Sequence, residues 1–153
     1  MIFSKYLLGA VALAAVPFVN IAHAQAQTTP LAVDTPMVHD PVMAFEDGKY
    51  YLYCTGHGIT QMTSTDRRHW TIKPDGVLPN NKIPAWTRDS VPGFETHIWA
   101  PDVIKYRGKW YLTYSCSTFG KNTSAIGLLS NTSLANADGW KDEGCVVASK
   151  GEI

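Results

Sequence analysis

The sequence predicts an all-β chain built as two blades of a β-propeller, and three observations carry that expectation. The first is an internal echo. Residues 41–52 align without a gap on residues 101–112, and Pro, Gly, Lys, Tyr and Leu recur at 41/101, 48/108, 49/109, 51/111 and 52/112. The second is the content of each copy: a strand, a tight turn at Gly, and a second strand rich in aromatics. A sheet motif repeated at an offset of 60 residues marks a radial array in which each repeat is one blade. The third is that no segment after the first 24 residues carries helical spacing of its apolar side chains. Two blades cannot close a ring, so the chain is expected to be the front part of a longer protein.

The elements follow in order. Residues 25–36 read as a polar lead-in with Pro30, and blade one is expected over about 37–72. Its first strand is the apolar run from Met37 to Phe45. Glu46-Asp47-Gly48 supplies the turn, and residues 49–55 return. Gly56-His57-Gly58 breaks the run, residues 59–64 offer a third strand, and Thr65-Asp66-Arg67-Arg68 turns into Trp70-Thr71-Ile72. Trp70 is expected to pack between sheets. Residues 73–94 contain Pro74, Pro79, Pro84 and Pro92 and show little periodicity, which marks a long excursion between blades. Trp86 within it reads either as an anchor that pins the loop or as an exposed sugar platform. Blade two is expected over about 95–148, with strands at 103–106, 109–116, 125–130 and 140–147.

Residues 1–24 read as a cleaved secretory signal. Lys5 supplies the positive start, residues 6–19 the apolar stretch, and Ala22-His23-Ala24 a small-x-small cleavage site. A membrane span needs about 20 apolar residues, whereas this run contains Pro17 and stops at Asn20. A secreted or periplasmic location follows, with no membrane attachment after cleavage. Lys plus Arg balance Asp plus Glu, 13 against 13, so no net field favours nucleic acid or an anionic membrane surface. Neutral polar substrates suit that balance better than phosphorylated ones. Three cysteines in an exported chain leave at least one thiol unpaired within it. Cys54 and Cys116 read as small buried hydrophobes, and no two cysteines stand at zinc-ligand spacing. Asn122-Thr123-Ser124 and Asn131-Thr132-Ser133 match the glycosylation sequon.

The residue with the clearest chemical promise is Asp40, in His39-Asp40-Pro41 just before the first apolar strand. Pro41 is expected to hold Asp40 in extended backbone, at the entry of an inner strand where a carboxylate can reach a bound ligand. An Asp that merely caps the turn before a strand is the other reading, and spacing alone leaves both open.

Four segments together resemble the family 43 glycoside hydrolases, and within them the endo-1,5-α-L-arabinanases. They are His39-Asp40-Pro41 with Tyr50-Tyr51-Leu52-Tyr53; His97-Ile98-Trp99-Ala100-Pro101-Asp102; Trp110-Tyr111-Leu112-Thr113-Tyr114-Ser115; and the stretch from Ser117-Thr118-Phe119-Gly120-Lys121-Asn122 to Leu128. The second and fourth point to arabinanases rather than β-xylosidases. The resemblance covers essentially the whole mature chain, and about the first two of the family's five blades.

The resemblance implies that Asp40 is the general base of an inverting hydrolase acting on plant cell-wall arabinan. It places the general acid, and the carboxylate that tunes it, on later blades beyond Ile153, so Asp102, Asp138, Asp142 and Glu143 are not candidates. It implies that Trp99 stacks on a sugar face, that Gly120 touches substrate, and that Phe119 offers a second stacking surface. His39 and His97 are assigned orienting roles. The family's calcium ion in the central channel is a feature of the full-length protein, with no metal ligand on this chain. A β-xylosidase or exo-α-L-arabinofuranosidase is the alternative within the family. A non-catalytic sugar-binding propeller fragment is the alternative from another class, since one carboxylate cannot run a two-carboxylate mechanism.

Overall fold

The structure, a computed structural model that describes residues 29–79 and 82–149, runs β1 (Leu31–Val33), β2 (Val42–Glu46), β3 (Lys49–Cys54), β4 (Gly56–His57), β5 (Thr60–Ser64), β6 (Trp70–Lys73), α1 (Trp86–Ser90), β7 (His97–Tyr106), β8 (Lys109–Ser117), β9 (Ser124–Asn131) and β10 (Lys141–Ala148). Residues 1–24, read above as a secretory leader, lie outside the described residues. No helix among the described residues is long and apolar enough to cross a membrane.

The two copies of the echo fold as the same hairpin. Asp47-Gly48 take φ of 50° and 78°, and Arg107-Gly108 take 47° and 79°. Positive φ at both central residues makes the two-residue turn whose twist matches the flanking strands, which is why Gly recurs at 48 and 108. Register then follows: Glu46 pairs with Lys49, and Tyr106 with Lys109. The likeness reaches further back than the side chains suggest. Asp40 and Ala100, each before the repeated proline, share the left-handed region with φ of 50° and 43°.

Each hairpin grows into a five-stranded antiparallel sheet, ordered β1-β6-β5-β3-β2 and β10-β9-β8-β7-β4. Strand alternation divides β3 between two apolar layers. Tyr51 and Tyr53 face the core between the sheets, where they meet Leu112, Tyr114 and Leu129. Leu52 and Cys54 face the other way and pack with Met62 and Trp70. Cys54 and Cys116 are buried and Cys145 is exposed, all three as free thiols. Met43 and Phe45 on β2, and Ile104 and Tyr106 on β7, remain about half exposed.

Several elements depart from the sequence expectation. The polar lead-in supplies β1, whose Leu31 pairs with Ile72. The first strand starts at Val42 instead of Met37. Gly56-His57, expected to be a simple break, pairs with Ile98 and His97 and so ties the first sheet's chain to the second. The excursion contains α1, too short to show any helical period. Its Val77, Leu78, Ile83, Val91 and Phe94 are buried in the inter-sheet core. Trp86 proves to be the anchor: it packs against that core, and its Nε1–H donates to the Asp142 carboxylate at 3.2 Å.

One buried carboxylate joins the sheets. Glu46, at the end of β2, accepts hydrogen bonds from Lys105 Nζ (3.0 Å) and Trp110 Nε1 (2.6 Å) on Oε1. Its Oε2 accepts from Ser133 Oγ (2.9 Å) and the Leu134 N–H (2.6 Å). Burial pushes its pKa up, but the hydrogen bonds from Trp110, Lys105, Leu134 and Ser133 outweigh that and bring it down from 4.5 to about 2.

Candidate active site

Two loops and the entries of β2 and β7 enclose a cleft of about 710 Å³ that contains Asp40, Trp99 and Phe119. Asp40 lies in the bend before β2. Its backbone is left-handed, not extended as the following proline suggests: Asp tolerates this region better than most side chains, and the local fold overrides the proline's bias. Its Oδ2 accepts the Thr55 hydroxyl at 2.9 Å, and the Nδ1 of His39 lies 2.7 Å away. Among the described residues no donor reaches Oδ1. The hydrogen bond from Thr55, then the one from His39, hold the carboxyl below its ordinary pKa. A carboxylate kept ionised at the cleft, with one oxygen free of protein donors among the described residues, can accept a proton from water.

Trp99 lies at the start of β7, where the ladder slips between Trp99 and Asp102. Its indole Nε1–H donates to Nδ1 of His97 at 2.8 Å, which makes that nitrogen the acceptor and places the His97 proton on Nε2. The His97 ring in turn packs edge-on against His57 at 5.3 Å between centroids. His57 is held by Thr96 Oγ1 at 2.9 Å. The two histidines expected to orient the site have different partners: His39 touches Asp40, His97 touches Trp99.

Phe119 is 87% exposed, and its ring stands 6.2 Å from that of Trp99. It rides on a turn closed by the Lys121 N–H to the Thr118 carbonyl at 3.0 Å. Gly120 takes the third position with φ of 73°, which calls for glycine there. Nothing lies within 4 Å of where its Cβ would stand, so its backbone is open to a ligand. Gly120 does not line the cleft that holds Asp40. It borders an adjoining depression of about 650 Å³, and the two share Gly93 and Thr118. Thr118 Oγ1 donates to the Pro92 carbonyl at 2.9 Å, clasping the Phe119 turn to the end of the excursion.

Thr55, His57, Thr96 and Thr118 escaped the sequence reading. For Thr55 a signal was present, since Ser115 repeats its hydroxyl at the same offset of 60 residues. Among the described residues no three His, Cys, Asp or Glu side chains converge as a metal site, so the residues present do not by themselves fit the channel calcium ion that the resemblance implies.

Comparison with known proteins adds a consistent picture. Residues 33–153 match the family described as Glycosyl hydrolases family 43. An extracellular exo-α-(1→5)-L-arabinofuranosidase of Cellvibrio japonicus is 44% identical over 115 residues, 73% of this chain and 32% of that protein. An extracellular endo-α-(1→5)-L-arabinanase of Bacillus subtilis is 42% identical over 118 residues, 74% of this chain and 35% of that protein. The crystal structure of an exo-1,5-α-L-arabinanase from a bovine ruminal metagenomic library superposes with a TM-score of 0.71 at 50% identity, covering 77% of this chain and 38% of the other. The chain spans about a third of the length of the curated relatives it matches.

Proposed function

The chain belongs to glycosyl hydrolases family 43, and we propose that it is the N-terminal part of an extracellular hydrolase that cleaves α-1,5-linked L-arabinan. Its two sheets are the first two blades of a five-bladed propeller. The half-exposed Met43, Phe45, Ile104 and Tyr106 support that arrangement, because they present apolar surface on the faces that neighbouring blades would cover. The observation that carries the functional reading is one cleft holding an ionised carboxylate, Asp40, together with the aromatic pair Trp99 and Phe119.

Asp40 is the general base. Its free oxygen takes a proton from a water molecule as that water attacks the anomeric carbon, and a carboxylic acid from a later blade protonates the departing sugar oxygen. The two carboxyls stand about 6.5–9.5 Å apart to admit the water, and the product anomer is inverted. Trp99 and Phe119 offer flat apolar faces to furanose rings, and Gly120 supplies backbone contact to the next sugar. A channel calcium ion, in the whole protein, takes its ligands from outside this chain. The second carboxyl is supplied by a later blade, so the reading is tested on the full-length protein.

Cleavage within the polymer is favoured by the second depression, which adjoins the cleft at Gly93 and Thr118 and widens the surface a sugar chain could cross on this side. The exo-acting relative at 44% identity favours release from chain ends. Digestion of linear arabinan by the full-length protein separates them: a ladder of oligosaccharides for endo action, a single short product for exo action. Absence of any product sinks the hydrolase reading, and proton NMR of the first-formed anomer tests inversion. Trp99→Ala should weaken binding of arabinan oligosaccharides about tenfold, or about 1.4 kcal/mol, in titration calorimetry.

A further inference from the structure

We infer that Thr55 is a positioning residue for Asp40, and that through it the second sheet orients the carboxylate of the first. The inference rests on the reading of Asp40 as the base. Thr55 follows β3, and its N–H bonds the His39 carbonyl at 3.0 Å, which sets its side chain beside Asp40. Its hydroxyl has one proton to give. That proton goes to Asp40 Oδ2 at 2.9 Å, while the oxygen accepts the Ala100 N–H at 2.9 Å. The direction is forced at both ends, because an ionised carboxylate only accepts and an amide N–H only donates.

The internal repeat explains how the two sheets meet here. Ala100 is the counterpart of Asp40 in the second copy and has the same left-handed backbone, with φ of 43° against 50°. A left-handed alanine has no side chain to compensate its strain, but its N–H gains a partner across the sheets. The bend before β2 presents a carboxylate, the irregular start of β7 an N–H, and the Thr55 hydroxyl links them. Ser115 repeats the hydroxyl in the second copy, where the matching position carries Ala100 and no carboxylate. With Oδ2 engaged by Thr55 and His39, Oδ1 is left as the oxygen to take the proton of the attacking water.

Loss of Thr55 should therefore show in turnover and in pH dependence. The groups around Asp40 are His39, bonded to it, Cys54 from β3, and His57, Glu95 and His97, which border the same cleft. Among them only His39 shares Thr55's contact with the carboxylate. In the full-length enzyme, Thr55→Val should lower kcat on linear arabinan about 10- to 100-fold, with KM nearly unchanged. Its acid limb of kcat/KM should move to higher pH, because a donor to the charged form has been removed. Thr55→Ser, which keeps the hydroxyl, should restore both. Thr55 is half-buried and Ala100 exposed, so water can satisfy the freed N–H; should Thr55→Val still not fold, Thr55→Ala carries the same expectation. A hydroxyl-free variant with wild-type kcat and an unmoved acid limb overturns the inference, as does a Thr55→Ser enzyme as impaired as Thr55→Val. If Asp40→Asn is inactive while Thr55→Val behaves as wild type, the inference alone fails. If Asp40→Asn turns over normally, the assignment of the base fails and takes the inference with it.

Discussion

In the full-length enzyme, Asp40→Asn is expected to lower kcat on linear arabinan by about 10²–10⁴-fold, the usual contribution of a positioned general base. The amide keeps the shape of the carboxylate and one acceptor oxygen for the Thr55 hydroxyl, so the bend before β2 should survive. Asp40 is exposed, which limits any effect on stability. The loss should therefore fall on kcat with little change in KM or in the melting temperature. Steady-state kinetics beside a thermal melt checks both at once. Activity within twofold of wild type would mean that another group takes the proton, whereas a collapsed melt would mean that Asp40 serves the turn.

Glu46→Gln should have the largest effect on stability. Four donors from the second sheet and the loop after β9 converge on this one carboxylate. The amide offers one acceptor oxygen, and its NH₂ faces donors, leaving either Trp110 and Lys105 or Ser133 and Leu134 unpaired. Breaking a buried charged cluster by removing one member costs about 3–5 kcal/mol. The lower end is expected because Lys105 is half exposed and can turn to water. The pKa gives a comparable figure. A fall from 4.5 in the unfolded chain to about 2 in the folded one corresponds to about 3 kcal/mol. This contribution is fully present above pH 4.5 and is lost as pH falls toward 2, since the unfolded chain takes up the proton first. Urea midpoints measured between pH 6 and pH 3 should fall more steeply for wild type than for Glu46→Gln. Parallel curves would show that the carboxylate contributes no pH-dependent stability.

Much of this was legible in the residues. The echo at an offset of 60 residues located both hairpins, because a two-residue turn with positive φ at its second position calls for glycine and because strand register follows from the turn. His39-Asp40-Pro41 and the Trp99 and Phe119-Gly120 segments drew attention to the groups that line the cleft and its neighbouring depression. Short-range signals failed where partners are distant in sequence. Gly56-His57 looks like a breaker and becomes a strand only because Ile98 and His97 come alongside. The excursion looks formless, yet scattered Val77, Leu78, Ile83, Val91 and Phe94 fill one core. Pro41 argued for an extended Asp40, and the left-handed backbone it shares with Ala100 prevailed.

The sequence alone established the all-β class and the repeat, since these depend on residue type and local spacing, whereas Asp40, Trp99 and Phe119 stood out as candidates through the family resemblance. Three-dimensional packing settled what each is aimed at. It put His39 against Asp40 and His97 against Trp99, set Gly120 in a separate depression, and made Glu46 the clasp between the sheets. It also brought Thr55 to Asp40 and the Ala100 N–H to Thr55, 45 residues apart. Hydrogen bonds act over about 3 Å, and no spacing rule along a chain foretells which donors a fold will carry within that reach.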